Sequence, residues 1–409
     1  MFFQLAFSNI WRNKRRTLLV EFSIIFGITV IVFTGALTNG LSRIWAISSI
    51  EEQVGAMQVE HRDYQKDHKF KPLETTLTDS AQLINEIETF PGVTSAFGVL
   101  QIFGFISNGS KATTFFGRGL EVKAMKQTLP KMERTISEGR PLGENPNEVV
   151  LGPRMAEDLG LTIGDSVMVL AQTLKGGLNM VELVFVGTQK GSESDYESAH
   201  YVEMHLKTAQ NLFRMKDRVS QLVIGYDDFD SIRSSAVKLQ AKLDRNGGTP
   251  LKVNDYTKTI QGYGINDFFS LISLVVGLVL FLVVGAGIAN TMFMSVMERK
   301  KEIGTMKAVG AEQRHIKILF LLEGFFIGLL GAVVGLILSI TLVEVVGAIG
   351  GISFPPPPGS SIPVTIPTVL DMNSVYFSLA LAMIVGTLAA YFPAAVSARL
   401  DPVITLRQD

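Results

Sequence analysis

The sequence contains no cysteine. Disulfide frameworks, thiolate metal sites and cysteine nucleophiles are therefore excluded together. Charge is scarce as well. Asp, Glu, Lys and Arg make up 18% of the 409 residues, against roughly 25% in ordinary soluble domains. The 37 basic and 38 acidic side chains nearly cancel, so the overall basic character of a nucleic-acid-binding protein is missing. Neither a G-x-x-x-x-G-K-S/T phosphate loop nor a G-x-S-x-G nucleophile elbow occurs. P-loop binding of ATP is thus absent from this stretch of chain, and no enzyme active site stands out. The five histidines, His61, His68, His200, His205 and His315, show no zinc-site spacing and are read as solvated surface residues. Glu193, Asp195 and Glu197 suit a solvated loop better than a hard-cation site.

What the chain has instead is apolar surface: 47% hydrophobic residues and a mean hydropathy of +0.30. These residues are segregated. The runs 17–37, 268–297, 318–343 and 375–398 carry two charged residues between them, Glu21 and Glu323. A hydrocarbon core of ~30 Å takes about 20 apolar residues in a helix, so four transmembrane helices are expected. A cleaved signal peptide is the alternative for the first run, but that run is longer than a signal core and has no small-x-small site after it.

Basic residues orient the spans. Arg12, Lys14, Arg15 and Arg16 precede the first. Arg299, Lys300, Lys301, Lys307, Arg314 and Lys317 lie between the second and third, and Arg399 and Arg407 follow the fourth. The loop 347–374 has neither Lys nor Arg. The positive-inside bias then places both termini and the loop after span two in the cytoplasm. The expected divisions are an N-terminal helix with span one (1–38), an outer domain (39–267), span two (268–297), a cytoplasmic loop (298–317), span three (318–346), a Pro-rich outer loop (347–374), span four (375–398) and a tail (399–409).

Region 39–267 has ordinary soluble composition and nets acidic, with 25 basic and 29 acidic residues. A helix capped by Thr78 or Asp79 should place Leu83, Ile84, Ile87 and Phe90 on one face until Pro91-Gly92 stops it. Apolar stretches around Asn108-Gly109 read as a hairpin. Strands are expected at 148–151, 167–170, 183–186 and 221–224, with helices through Met155 and Leu159 and through Ile232, Ala236, Leu239 and Leu243. This predicts an α+β domain of two lobes.

Glu21 and Glu323, the carboxylates inside the spans, are candidate functional groups. They lie shallow enough to pair with interfacial Arg or Lys. In the cytoplasmic loop, Ile303, Met306 and Val309 recur at three-residue spacing, which makes a short amphipathic helix ended by Gly310. Such a helix suits docking on a soluble partner; lying on anionic lipid is the alternative the basic residues also allow.

The string E-R-x-x-E-I-G-x-x-K-A-x-G-A, formed by Glu298, Arg299, Glu302, Ile303, Gly304, Lys307, Ala308, Gly310 and Ala311, resembles the coupling helix of the MacB/FtsX-type ABC transporter permeases. Leu322-Glu323-Gly324 with Gly328, Gly331 and Gly335 resembles that family's third span. The end, with Pro393, Ala394, Ala398, Asp401-Pro402 and Leu406-Arg407, resembles its C-terminal signature. The opening, Asn9 to Lys14 and on to Arg16, resembles its N-terminal amphipathic helix.

The resemblance implies an α-helical membrane protein with four transmembrane helices and a large α+β extracytoplasmic domain of the MacB-like periplasmic core kind. It implies a multi-pass permease subunit in a bacterial inner membrane that is not itself an enzyme. No cofactor is expected on this chain; ATP and Mg would be bound by two copies of a partner ABC ATPase, contacted through Glu298, Arg299, Glu302, Ile303, Gly304, Lys307, Gly310 and Ala311. A second permease copy or paralogue and a periplasmic chaperone or adaptor complete the implied partners. Mechanotransmission would move the second span and an outer extension of it at 255–267.

Two stretches, Val150-Leu151-Gly152 to Gly164-Asp165 and Val186-Gly187-Thr188 to Leu212, are similar to the lipoprotein-releasing branch. That makes extraction of a lipophilic substrate such as a lipoprotein the leading expectation. The alternative is an FtsX-like regulator that activates an extracytoplasmic partner without transport. The run Pro355 to Pro358 reads as polyproline II.

Overall fold

The structure is a computed structural model, and it describes residues 14–64, 75–189, 199–245, 250–259, 265–355 and 364–399. The chain divides into two compact units, one of 1–44 with 264–409 and one of 45–263.

In chain order, helix α1 (Lys14–Ser49) runs into a π-helical turn (Ile50–Val54) and strand β1 (Met57–His61). Helix α2 (Ser80–Glu88), strands β2 (Val93–Ser107) and β3 (Ala112–Leu120), and helix α3 (Val122–Thr128) follow. Next come β4 (Ile136–Gly139), β5 (Glu148–Leu151), α4 (Pro153–Leu159), β6 (Ser166–Gln172), β7 (Leu178–Gln189) and β8 (Tyr201–His205). Helix α5 (Leu206–Phe213), β9 (Gln221–Tyr226), α6 (Ile232–Arg245), β10 (Leu251–Asp255) and α7 (Tyr256–Thr259) complete this unit. Among the remaining described residues the elements are α8 (Ile265–Glu298), α9 (Lys300–Ala308), α10 (Gln313–Ala348), the antiparallel pair β11 (Ile352–Phe354) and β12 (Val364–Ile366), and α11 (Met372–Ala398).

Among the described residues, ten strands form one sheet in the order β10-β1-β9-β2-β3-β8-β5-β7-β4, with β6 bridging β2 and β7. Instead of two separate lobes, the unit has one continuous sheet with three hydrophobic clusters against it, the third around Phe97, Leu120 and Met125. The first gathers Met57, Val59, Leu222, Ile224 and Leu239 at the β10-β1-β9 end. The second gathers Val149, Leu151, Val169, Phe185 and Met204 at the β8-β5-β7 end. The 15-residue β2 passes through both regions, and length alone lets it do so, since a strand advances about 3.3 Å per residue. The hairpin around Asn108-Gly109 forms, with Gly109 at φ +92°. Asp79 precedes α2 in a left-handed conformation and makes no side-chain cap, contrary to expectation.

Among the described residues, four helices are long and apolar enough to cross a membrane: Thr17–Val54, Leu274–Glu298, Gln313–Ala348 and Met372–Ala398. Small residues bring them together, as they must where lipid supplies no hydrophobic drive between helices. A Cβ on Gly324 would stand 2.4 Å from the carbonyl oxygen of Gly386, and one on Gly328 would stand 2.5 Å from that of Ala382, so α10 and α11 touch backbone to backbone. Gly331 and Gly335 likewise admit Ile24 and Ile28 of α1. Asp371 caps α11 by accepting from the backbone N–H groups of Asn373 and Ser374 at 3.2 and 3.0 Å.

Of the outer extension expected at 255–267, only the two ends can be placed. Asp255 is the last residue of β10, opposite Met57, rather than helical, residues Tyr256–Thr259 are helical (α7), and α8 is described from Ile265. Residues 260–264 lie outside the described residues. So do Glu193, Asp195 and Glu197, Asn9 to Asn13, His68, Pro356 to Pro358, and the tail signature from Asp401 onward.

Candidate functional site

The cytoplasmic-loop motif is a break between two helices. At Arg299 the backbone leaves the α8 path (φ −105°, ψ 16°), and α9 restarts with Ile303 N–H donating to the Arg299 carbonyl at 3.0 Å. The break turns the Arg299 side chain inward, where it is 7% exposed. Its Nη1 donates to Glu323 Oε1 at 2.8 Å, and its Nε to Glu302 Oε2 at 3.1 Å. The guanidinium carbon lies 5.5 Å from the centre of the Phe320 ring, which adds a cation–π contact. Glu323, 4% exposed, is thus an intramembrane carboxylate neutralised by a buried arginine.

The far end of α9 is also tied. Lys307 Nζ donates to the Ala398 carbonyl, one of the last of α11, at 3.0 Å. Gly310 then closes the helix with φ +102°: its N–H donates to Lys307 O at 3.0 Å, and the N–H of Ala311 to Met306 O at 2.9 Å, a Schellman arrangement. The short helix is therefore attached to α10 at its start and to α11 at its end.

Placing each motif residue on this frame changes which of them can meet a partner. Arg299, Ile303 and Gly304 are buried, with Ile303 2% exposed in the helix-bundle core beside Phe320 and Ile316. Glu302 and Lys307 are half-buried through the contacts above. The expected ridge of Ile303, Met306 and Val309 does not exist as one face: Ile303 points into the bundle and Val309 is 85% exposed. The outward face is formed by Lys301, Thr305, Ala308 and Val309, at helical spacing, continued by Gly310. Three-residue spacing alone could not separate these faces. The signal was the burial demanded by Ile303-Gly304 next to a span.

Glu21 has a different environment from Glu323. Its Oε2 faces Gly331 of α10, and its buried Oε1 has no hydrogen-bond partner among the described residues, so the interfacial pairing expected of both carboxylates is seen for Glu323 alone. Among the described residues, no cluster of three or more His, Asp or Glu side chains could hold a metal ion.

In the sheet unit, two polar clusters escaped the sequence. Arg118 of β3 and Tyr201 of β8 both bond Glu203 Oε2 at 2.9 Å, and Glu203 is 0% exposed. Arg140 clasps Glu148 with two bonds, 2.9 and 2.6 Å, and Gly143 N–H adds a third at 2.7 Å. These bonds, the arginine's first, hold the Glu148 carboxyl below its ordinary range. Nearby His205 is not the solvated residue expected. Its Nε2 is buried without a described partner, and burial pushes its pKa down.

Comparison with known proteins gives two family matches. Residues 17–242 match the MacB-like periplasmic core domain, and residues 274–402 match the FtsX-like permease C-terminal region. An uncharacterized ABC transporter permease of Methanocaldococcus jannaschii is 24% identical over 98% of this chain and 96% of its own length. A macrolide export ATP-binding/permease protein, MacB, of Wolinella succinogenes is 21% identical over 99% of this chain, which spans 60% of that relative's length. Among solved structures, the periplasmic region of MacB from Actinobacillus actinomycetemcomitans is 12% identical, with a TM-score of 0.36, over 50% of this chain and 90% of that one.

Proposed function

The chain belongs to the MacB/FtsX-type ABC transporter permeases, and from that membership we propose that it is the membrane-spanning, non-hydrolytic part of an ATP-driven complex working by mechanotransmission. ATP and Mg are bound by an ABC ATPase outside these 409 residues, two copies to a complex with a second permease copy or paralogue. The protein sits in a cytoplasmic membrane with both termini inside, and the sheet domain faces outward. The substrate class is lipophilic: a lipoprotein anchor, as in the lipoprotein-releasing branch, or an amphiphile of the kind the macrolide-export relatives are named for.

The observation that supports this reading best is the two-sided build of α9. Its inner face is tied to α10 by Arg299–Glu323 and to α11 by Lys307–Ala398, while its outer face offers Lys301, Thr305, Ala308 and Val309. A helix merely resting on lipid needs no such ties. A helix that receives a push and hands it to spans does. The push would then reach α10 and α11, which move together because Gly324, Gly328 and Gly386 leave no gap between them.

The test is affinity purification of the full chain from its own host. An ABC ATPase should be retained by the wild type and lost with Val309→Asp or Lys301→Glu. Retention of no ATPase by the wild type, or undiminished retention by both variants, sinks the reading. Depleting the protein then separates the substrate classes. Lipoproteins trapped in the membrane indicate extraction, and drug sensitivity with lipoproteins unaffected indicates small-amphiphile export. A septation or wall defect alone indicates the regulatory alternative.

A further inference from the structure

Helix α1 does not simply end where its apolar run ends. It continues to Ser49 and then widens into the π turn Ile50–Val54, whose closing bond runs from Gly55 N–H to Ile50 O at 3.1 Å, five residues back. Single π turns inside helices recur at functional positions. Ala56 N–H already pairs with Ile224 O at 2.8 Å, so Gly55 alone separates the helix from the sheet. Gly55 has φ +70°, and a Cβ there would stand 2.5 Å from Val223 Cγ1 and 3.0 Å from the Ile224 carbonyl oxygen. The linker is as short as a chain allows and enters β1, an inner strand of the sheet.

The turn is also gripped from the side. Arg118 Nη1 donates to the Gln53 carbonyl at 3.2 Å, while its Nε is held by Glu203. Arg118 and Glu203 are register partners on the parallel strands β3 and β8, and Tyr201 fixes the same carboxylate oxygen. Lys131 adds its backbone N–H to Glu51 O at 3.1 Å and its ammonium to the Glu51 carboxylate. The last carbonyls of a helix lack intrahelical donors. Here a charged donor meets one of them, steered by a carboxylate with no access to water. Burying a carboxylate is costly even when it is paired, and a surface ion pair would stabilise the domain as well. Placing it here secures direction: with Nε held by Glu203, Nη1 reaches the Gln53 carbonyl.

We infer that Arg118, aimed by Glu203 and Tyr201, is a positioning residue that locks the π turn Ile50–Val54 to the sheet, making the joint between this turn and β1 rigid. A displacement reaching residues 45–49 is then passed on to β1 instead of being absorbed at the turn. The inference deepens the transport reading above and rests on it for its purpose, although the rigidity of the joint can be measured independently.

The test uses the full chain in lipid nanodiscs. Arg118→Met with Glu203→Gln removes both charges at once and so leaves no orphaned buried ion. Amide hydrogen exchange at residues 50–56 should accelerate at least tenfold in this double variant, with β5, β6 and β7 exchanging as in the wild type. Because the chain has no cysteine, spin labels can be placed on cysteines introduced at Trp45 and Lys123. The wild-type distance distribution should stay narrow with and without the co-purified ATPase in ATP and vanadate, and the double variant should broaden it. Unchanged exchange at 50–56, acceleration across the whole domain, or a wild-type distribution that broadens with ATP and vanadate each overturn the inference. If no ATPase binds the wild type, the transport reading fails, and the exchange and ATP-free distance arms still decide the joint.

Discussion

Arg299 and Glu323 stand 24 residues apart in the chain and 2.8 Å apart in space, one at a helix break and the other inside a membrane helix. Neither charge is stable there alone. An ion pair withdrawn from water survives only when its geometry is good and its remaining bonding capacity is met, and Glu302 and the Phe320 ring supply that for the arginine.

Removing one partner takes the closest counter-charge from a buried ion, and breaking a buried pair in this way costs about 3–5 kcal/mol. Glu323→Gln or Arg299→Met should each lower the thermal midpoint of the detergent-solubilised chain sharply. The double variant should recover most of that loss, because two neutral side chains replace two ions. ATPase-driven activity should stay low in all three. Thermal unfolding together with coupled activity checks both halves.

On the outer face of α9 the expectation reverses. Val309 touches nothing it would lose, so Val309→Asp should change stability by no more than about 0.5 kcal/mol. It should nonetheless abolish ATPase retention in a pull-down. Ile303→Asp, six residues earlier and inside the bundle, should instead prevent accumulation of folded protein, and solubilised yield reads that difference.

Glycines in the spans should divide by what faces them. Gly324→Ala places a methyl 2.4 Å from the Gly386 carbonyl oxygen and must push α10 and α11 apart, with a clear drop in thermal midpoint. Gly287→Ala has open space around it and should be neutral or gain up to about 1 kcal/mol from helix propensity. Paired melting curves test the contrast.

Acidification should weaken the sheet domain through His205 before Glu148. Burial lowers the folded pKa of His205 below its ordinary 6.5. As pH falls through 6.5 the unfolded chain takes up a proton that the folded chain refuses, and stability declines until the folded value is passed. Glu148 is depressed as well, chiefly by Arg140. Its contribution is present above the ordinary carboxylate value and is lost as pH falls through the lowered one. His205→Gln should therefore flatten the loss just below pH 6.5 and leave the steeper fall at lower pH. Thermal midpoints from pH 7.5 to 4 measure this.

Local patterns along the chain were enough to give the class of molecule. Apolar runs of span length, and an α+β stretch between the first two, follow from local composition and periodicity, which do not depend on distant contacts. The family was legible for a similar reason: the loop motif and the glycines of the third span are short-range patterns.

What those residues contact depends on packing between distant elements. The motif Glu298 to Ala311 reads as a partner-facing string. Yet Arg299 and Ile303 turn into the bundle, because Glu323 and Phe320 wait there on another helix, and the free face falls to Lys301, Thr305, Ala308 and Val309. Arg118, Tyr201 and Glu203 carry no motif at all. They became a unit when β3 and β8 paired in parallel across more than eighty residues of chain. Periodicity reports which residues share a face of one element; it is silent on which element that face will meet.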